Sequence, residues 1–341
     1  MPVDQLDRPR ANSAVVESGY SAPYLYLLED DQTSSAKLQP TAYTKCKLSA
    51  VERAIRSGYG QGRGEAFRPW LRIRRNFSSP TSHQVFDSVG IHARNHHFLS
   101  KLEFHTALLV SYAGASELRE CLPLWPFDHA HPDCGIEGES EAHPTEAMGL
   151  IDIARRAGIE HGCFVGTTVP YVASIDLMFR VRRALRWKLV GVSCKPKQIT
   201  EQSERAQERI ELDRLYCASV GAMHIHECGT NFDAELIKQL LWIRPLESEL
   251  RSHQQTARLA DFAAYFDEYS DHRCVSESSI AAGRQIGLSR DCSHLFFRMS
   301  AWLHLIDIDL TRRIQMRSRI KRGGMRVIHS LKAQYLGVVH E

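Results

Sequence analysis

The chain has no uninterrupted apolar run long enough to cross a bilayer, which argues against a membrane-spanning helix. Its first thirty residues carry scattered acids and polar residues rather than the apolar core of a secretory leader, so the sequence predicts an intracellular protein. Its nine cysteines lie at scattered spacings with no CxxC pair, and an odd number cannot all pair within one chain. Reduced, mostly buried thiols are the expectation. The glycine-rich stretch "GYGQGRGEAFRPW" lacks both the Walker spacing and the GK[ST] ending, so it is not a P-loop. No internal repeat is evident. A formal net charge of +3 is too small to mark a nucleic-acid binder by itself.

What is present is a soluble-protein composition, 43% hydrophobic and 24% charged, in 341 residues. That is enough for two or three domains, each with its own core. The charge is unevenly distributed. Arg53 to Arg75 and Arg312 to Arg326 are strongly basic, whereas Asp128 to Glu146 is acidic, and Asp128 to Pro144 is predicted to be an exposed loop. Residues 1–45 lack periodicity and read as an extension or arm. "WLRIRRNF", with Trp70, Leu71, Ile73 and Phe77, suggests a strand. "LSKLEFHTALLVSYAG" is a helix with Ser100 as N-cap and Glu103 as capping-box partner. "TEAMGLIDIARRAGI" is a helix from a Thr145 cap to Gly158. "YVASIDLMFRV" and "WKLVGVSCK" alternate with period two and are joined by a short basic link, the pattern of a hairpin. A helix closing at Gly221, a short strand "AMHIHE" and a helix capped near Asn231 or Asp233 complete an α/β region. From Pro245 three helices follow, and "IDIDL" then alternates like a strand, the order of a winged helix.

On the strand that ends "LVGVSCK", Val190, Val192 and Cys194 form a core face. Leu189, Gly191, Ser193 and Lys195 point the other way. Hairpin pairing would set Asp176 beside Ser193 and Lys195. An acid on one strand and a lysine on the next are minimal equipment for metal-dependent phosphodiester hydrolysis. Carboxylates supply hard oxygen ligands to Mg²⁺, and an ammonium group holds the attacking water or stabilises charge on phosphorus. Glu103, on a helix able to pack on the sheet, can supply the second carboxylate, although it also serves as a capping residue. Glu208 and Glu211, one turn apart on the next helix, could lend an outer carboxylate or form a solvated face with Arg209 and Arg214.

The anchors "FRPWLRIR", "HHFLSKLEFH", "LRECLPL", "SIDLMF", "GVSCKPK" and "ERIELDRLYC", from about Gly58 to Ile314, resemble the TnsA-type endonuclease subunits of heteromeric cut-and-paste transposons. The resemblance implies a restriction-endonuclease-like mixed sheet flanked by helices, over 46–244. A mainly helical winged-helix or helix-turn-helix domain over 245–325 and a tail over 326–341 would follow. It implies Glu103, Asp176 and Lys195 as catalytic residues, with Glu103, Asp176 and Ser193 around Mg²⁺, for which Mn²⁺ substitutes. Where the family carries Gln or Glu two residues before the lysine, this chain has Ser193, so metal affinity or ion number is expected to differ. The implied activity is cutting of the transposon's 5′ ends in the bacterial cytoplasm. A DDE-type transposase, TnsB, would cut and join the 3′ ends, and an AAA+ ATPase, TnsC, would regulate the complex.

Arg63, Arg72, Arg74, Arg75, Arg312, Arg313, Arg319, Lys321 and Arg322 are candidate contacts to double-stranded DNA. The competing function is a catalytically impaired DNA-binding or assembly module of the same complex, which the Ser193 departure keeps open. A self-sufficient nuclease needing no partners shares the chemistry. Two His/Cys groups, His129, His131 and Cys134, and His224, His226 and Cys228, offer zinc-type donors but lack finger spacing.

Overall fold

The computed structural model describes residues 41–74, 84–89, 94–134, 145–183, 186–230, 232–245, 249 and 256–337. Its centre is a four-stranded mixed sheet ordered β3 (Ser116–Leu124), β6 (Ala173–Arg183), β7 (Arg186–Cys194), β8 (Met223–Glu227). The first three strands run antiparallel, and β8 lies parallel to β7. A parallel neighbour needs a crossover. Here it is made by two helices, Lys197–Gln202 and Glu204–Ser219, separated by the N-cap Ser203. Two small ribbons lie outside this sheet: Val85–Asp87 pairs with His96–Phe98 (β1, β2), and His129–Ala130 with Glu146–Ala147 (β4, β5).

Helices are numbered in chain order. They are α1 (Ala42–Arg56), α2 (Lys101–Tyr112), α3 (Leu150–Ala157), α4 and α5 of the crossover, and α6 (Ala234–Ile243). The C-terminal part adds α7 (Thr256–Ser270), α8 (Val275–Gln285), α9 (Arg290–Trp302) and α10 (Gly324–Leu331). Among the described residues no helix is long and apolar enough to cross a membrane.

Both faces of the sheet are covered. Val190, Val192 and Cys194 pack with Leu177, Phe179 and Val181 against Phe104, Ala107 and Leu108 of α2 and Leu236 and Leu240 of α6. Leu189, Ala173, Ile175 and Met178 pack against Leu212, Tyr216 and Cys217 of α5 and Leu150 and Ile153 of α3. Residues two apart on a regular strand share a face. Ile175 and Leu177 do not, because they belong to opposite cores. The alternation of β6 therefore slips by one residue at Asp176. On β3, the register that pairs Leu122 with Ile175 and Glu120 with Leu177 sets Cys121 opposite Asp176. Cys121 has φ of 47°, a conformation that costs a non-glycine residue energy. Both strands are irregular at the same level, which is where the acid projects.

Gly191 matters for the opposite layer. A Cβ there would meet Cys217 Sγ and Ile175 Cδ1 at 2.5 Å, so glycine lets α5 lie close on β7.

Several sequence expectations change. Trp70 to Arg74 form no strand; the segment runs beside β3, with Trp70 N–H donating to Cys121 O, and Phe77 lies outside the described residues. The glycine-rich stretch is an ordered loop closed by a Gln61–Arg68 bridge. The α3 helix starts at Gly149, not Thr145, because residues 146–147 pair with β4. The acidic loop begins buried, with His129, His131 and Asp133 each at most 7% exposed, and residues 135–144 lie outside the described set. Residues 1–40 lie outside it too, and α1 begins at Ala42, inside the expected arm. All nine cysteines are free, but only Cys121, Cys194 and Cys217 are buried.

The three C-terminal helices form as expected, but "IDIDL" is not a strand: Asp309 N–H donates to Lys321 O at 2.8 Å, and no wing strand follows among the described residues. Helix α9 is largely a core element, burying Phe296, Phe297, Met299 and Trp302. Residues 326–331, expected as tail, continue α10, and a π-helical turn at Lys332–Leu336 buries Tyr335 and Leu336. The core that holds α2 and the sheet runs unbroken into α7–α10.

Two imidazoles in this fold are held neutral. His129 lies between Phe127 O at 3.0 Å and Tyr216 OH at 2.9 Å, and His304 meets Tyr112 edge-on at 4.6 Å. Burial pulls both down to about 4 from an ordinary 6.5. The folded values lie below the unfolded ones, so this stability is complete above pH 6.5 and lost as pH falls toward 4. Urea midpoints measured across that window should fall with acidification, and less steeply for His129→Gln than for the wild-type protein.

Candidate active site

The sequence LSKLEF makes Glu103 both a cap and a buried acid. Ser100 Oγ accepts from Glu103 N at 3.1 Å and donates to Glu103 Oε1 at 2.9 Å. Glu103 Oε2 accepts from Leu99 N at 2.8 Å. The side chain is thus oriented by the first turn of α2, with the residue 4% exposed against the sheet. Burial and the charge of Asp176 push its carboxyl up to about 8.

Asp176 sits at the slip in β6. One of its oxygens replaces a main-chain acceptor, taking the Cys194 N–H at 2.7 Å, where ladder pairing between β6 and β7 has ended. The residue after Cys194 is Lys195. Its ammonium pKa is raised first by Asp176, with Glu103 and Asp213 adding to the effect against burial. The thiols of Cys121 and Cys194, which face the same acids, are pushed up by burial and by Glu103 and Asp176. The three residues expected from the sequence therefore meet: two carboxylates and one amine within electrostatic reach, at the end of the β6–β7 hairpin.

Lys195 is held through its backbone. Its N–H donates to Glu227 O at 3.0 Å, and its carbonyl lies 3.1 Å from His226 Nε2. Glu227 is itself anchored: Oε1 accepts from Gly229 N at 2.7 Å, and Oε2 accepts from Tyr335 OH at 2.6 Å. The C-terminal turn thus grips the strand that positions the lysine.

Ser193, expected to offer its hydroxyl to a metal, is 1% exposed and committed elsewhere. It donates to Asp213 Oδ2 at 2.7 Å, and its oxygen lies 2.9 Å from His224 Nε2. Asp213 also pairs with Arg209 at 2.6 Å. Burial raises its carboxyl to about 6, against the pull of Arg209 and Ser193. The carboxylate that α5 brings to the site is thus Asp213. Glu208 and Glu211 instead bind Arg205 and Arg214 on the outer face. A helical wheel carries the signal, since positions 212, 213, 216 and 217 form one buried face and Asp213 lies within it. Nothing comparable in the sequence marks Glu227 or Tyr335.

Among the described residues no three His, Cys, Asp or Glu side chains form a ready-made metal cage. His129 and His131 use both ring nitrogens in hydrogen bonds within the fold, which removes that group as a zinc site. His224 and His226 are bonded to Ser193 and Lys195. Glu120, also buried, is neutralised by a two-pronged Arg94 contact at 2.7 Å. Two repelling carboxylates with a nearby amine fit a hard cation that retains much of its water, as Mg²⁺ does.

The candidate DNA contacts are dispersed. Arg63 is bound to Glu117 at 2.6 Å and to Pro132 O at 2.6 Å, inside an ion cluster. Arg72 lies over the Tyr59 ring at 3.6 Å, Arg74 is exposed, and Arg75 lies outside the described residues. Arg312 pairs with Asp309, and Arg322 with Asp267 and Ser270. Between them exposure alternates along a segment that turns at 315–318. Ile314, Met316 and Ile320 pack inward, while Arg313, Arg317, Arg319 and Lys321 are exposed.

No family model matches the sequence. It is 25% identical over 227 residues to the Escherichia coli "Transposon Tn7 transposition protein TnsA", covering 66% of this chain and 73% of that protein. The chain is similar to TnsA. The mixed sheet flanked by helices agrees with a TnsA-like endonuclease fold.

Replacing Tyr335 by Phe leaves Glu227 Oε2 with only the 3.4 Å contact to Gln334. The change should cost about 1–3 kcal/mol in urea unfolding, because a buried charged acceptor is deprived of its short bond.

Proposed function

We propose that this chain is a Mg²⁺-dependent DNA endonuclease subunit of a transposition complex, cutting the 5′ ends of a transposon during excision. The observation that carries the reading is that Glu103, Asp176 and Lys195 lie within electrostatic reach of one another, with Asp176 accepting from the amide of the residue before Lys195. The similarity to a transposition protein supplies the biological setting.

Glu103 and Asp176 would hold the cation, with Mn²⁺ able to substitute. When bound, Mg²⁺ supplies a polarised phosphorus centre and a more acidic coordinated water. Lys195, fixed through Glu227 and His226, donates hydrogen bonds to the attacking water or to a phosphate oxygen as negative charge develops there. Asp213 orients the Ser193 hydroxyl and lends negative charge that helps keep Lys195 protonated. The hydrogen bond from Cys194 N leaves the other Asp176 oxygen for the cation.

The exposed cations of residues 313–321 are our choice for the phosphate-binding surface, in place of a helix reading a groove. A DDE-type transposase, TnsB, acting on the 3′ ends and an AAA+ regulator, TnsC, are the proposed partners.

Asp176→Asn, Glu103→Gln and Lys195→Met should each lower Mg²⁺-dependent nicking of transposon-end DNA by about 10²–10³-fold, assayed with partner proteins present. DNA affinity should be retained. Equal nicking by wild type and Asp176→Asn would remove the acid from the mechanism and leave an assembly module. Changing Arg313, Arg317, Arg319 and Lys321 together to Gln should flatten the dependence of log affinity on log salt by about 0.9 for each phosphate no longer neutralised. Fluorescence anisotropy on an end-sequence duplex reads that slope.

A further inference from the structure

A groove of about 370 Å³ lies between α1, the segment 70–74 and the loop that carries Phe164 and Tyr171. Glu103, Asp176 and Lys195 do not line it, yet it begins one strand away from the acids. Trp70 N–H donates to Cys121 O at 3.2 Å along the outer edge of β3, and Cys121 stands opposite Asp176.

The lining combines cations with rings and holds no carboxylate. Lys47, Arg72 and Arg74 bring the charge, and Tyr59, Trp70, Phe164 and Tyr171 bring the aromatic surface. Elsewhere arginines are matched to acids, as Arg63 is to Glu117, Arg94 to Glu120 and Arg244 to Asp87. Among the described residues no acid pairs with the three cations of the groove. Two of them lie on rings instead: Lys47 Nζ is 4.1 Å from the centre of Phe164, and the Arg72 guanidinium is 3.6 Å from that of Tyr59.

Unmatched cations in a concave surface favour a polyanion. The rings narrow the choice. A cation held over an aromatic face is already positioned, so little order is lost when a phosphate meets it. A guanidinium stacked on a ring leaves its outer face to a nucleic-acid base, which stacks on such a plane. Tyr171, 40% exposed, offers a further ring, braced by Phe164 at 5.2 Å. In a duplex the neighbouring pairs cover the faces of each base, so only an unpaired base can use these surfaces. An acidic protein segment would use the cations and leave the rings idle.

We propose that this groove binds an unpaired stretch of a DNA strand, its phosphates on Lys47 and Arg74 and its bases stacked on Arg72 and Tyr171. The proposal rests on the nuclease reading for the source of that strand, a DNA end opened beside the cutting site. The binding itself needs no cleavage.

Full-length protein is titrated, in EDTA, against a labelled single-stranded oligonucleotide of mixed sequence and against the same sequence as a duplex, with fluorescence anisotropy as the readout. The single strand should bind saturably. Tyr171→Ala should weaken that binding by about 5–150-fold, the range for loss of one stacked base, with the loss confined to the single strand. Tyr171→Phe, which keeps the ring, should restore it. Lys47→Gln and Arg74→Gln together should flatten the salt dependence on the single strand by about 0.7 for each phosphate no longer neutralised. Absence of saturable single-strand binding would overturn the proposal, as would an equal loss on both probes in Tyr171→Ala. Sensitivity to the charge changes with none to Tyr171→Ala would also overturn it and mark a surface for an acidic protein segment. Metal-dependent cutting is silent in EDTA, so a failure here leaves the nuclease reading intact, and loss of nicking with strand binding retained refutes that reading alone.

Discussion

Two carboxylates set near one another, Glu103 buried and Asp176 half-buried, repel, and much of this architecture serves to hold them there. Glu103 is fixed by three hydrogen bonds at the start of α2, and Asp176 by the amide of Cys194. Each of these partners is local or one strand away, so the geometry does not depend on a flexible loop. Burial and the charge of Asp176 push the Glu103 carboxyl up to about 8, the electrostatic mark of that crowding. Strand irregularity follows from the same need. A regular β6 would keep Ile175 and Leu177 on one face, and the shift at Asp176 is matched by the strained Cys121 beside it.

The second determinant is how closely α5 lies on the sheet. Gly191 and the small Cys217 thiol allow that approach, and it places Asp213 on the Ser193 hydroxyl. In this chain a short hydroxyl residue before the lysine is combined with an acid arriving from a helix. Negative charge near Lys195 thus comes from a helix as well as from Asp176 on the neighbouring strand.

The local parts of this arrangement were legible in the sequence. The Ser100–Glu103 cap, the hairpin that brings Asp176 to Lys195, and the three C-terminal helices follow from spacing and alternation, because each is specified by neighbours in the chain. The rest depends on distant partners. Period two around "IDIDL" predicted a strand, but the segment packs its isoleucines and bonds Lys321 O through Asp309 N–H without joining a sheet. Arg63 reads as a solvated cation until Glu117, fifty-four positions away, is brought against it. Asp213 was hidden because Glu208 and Glu211, the more conspicuous acids, lie on the outer side of the same helix.

The hydroxyl of Tyr335 on the Glu227 carboxylate ties the C-terminal π-helical turn to the middle of the molecule. Glu227 holds the backbone of Lys195, so the amine is two bonded contacts from the C-terminal surface. Displacing that turn would unseat the main chain that carries Lys195.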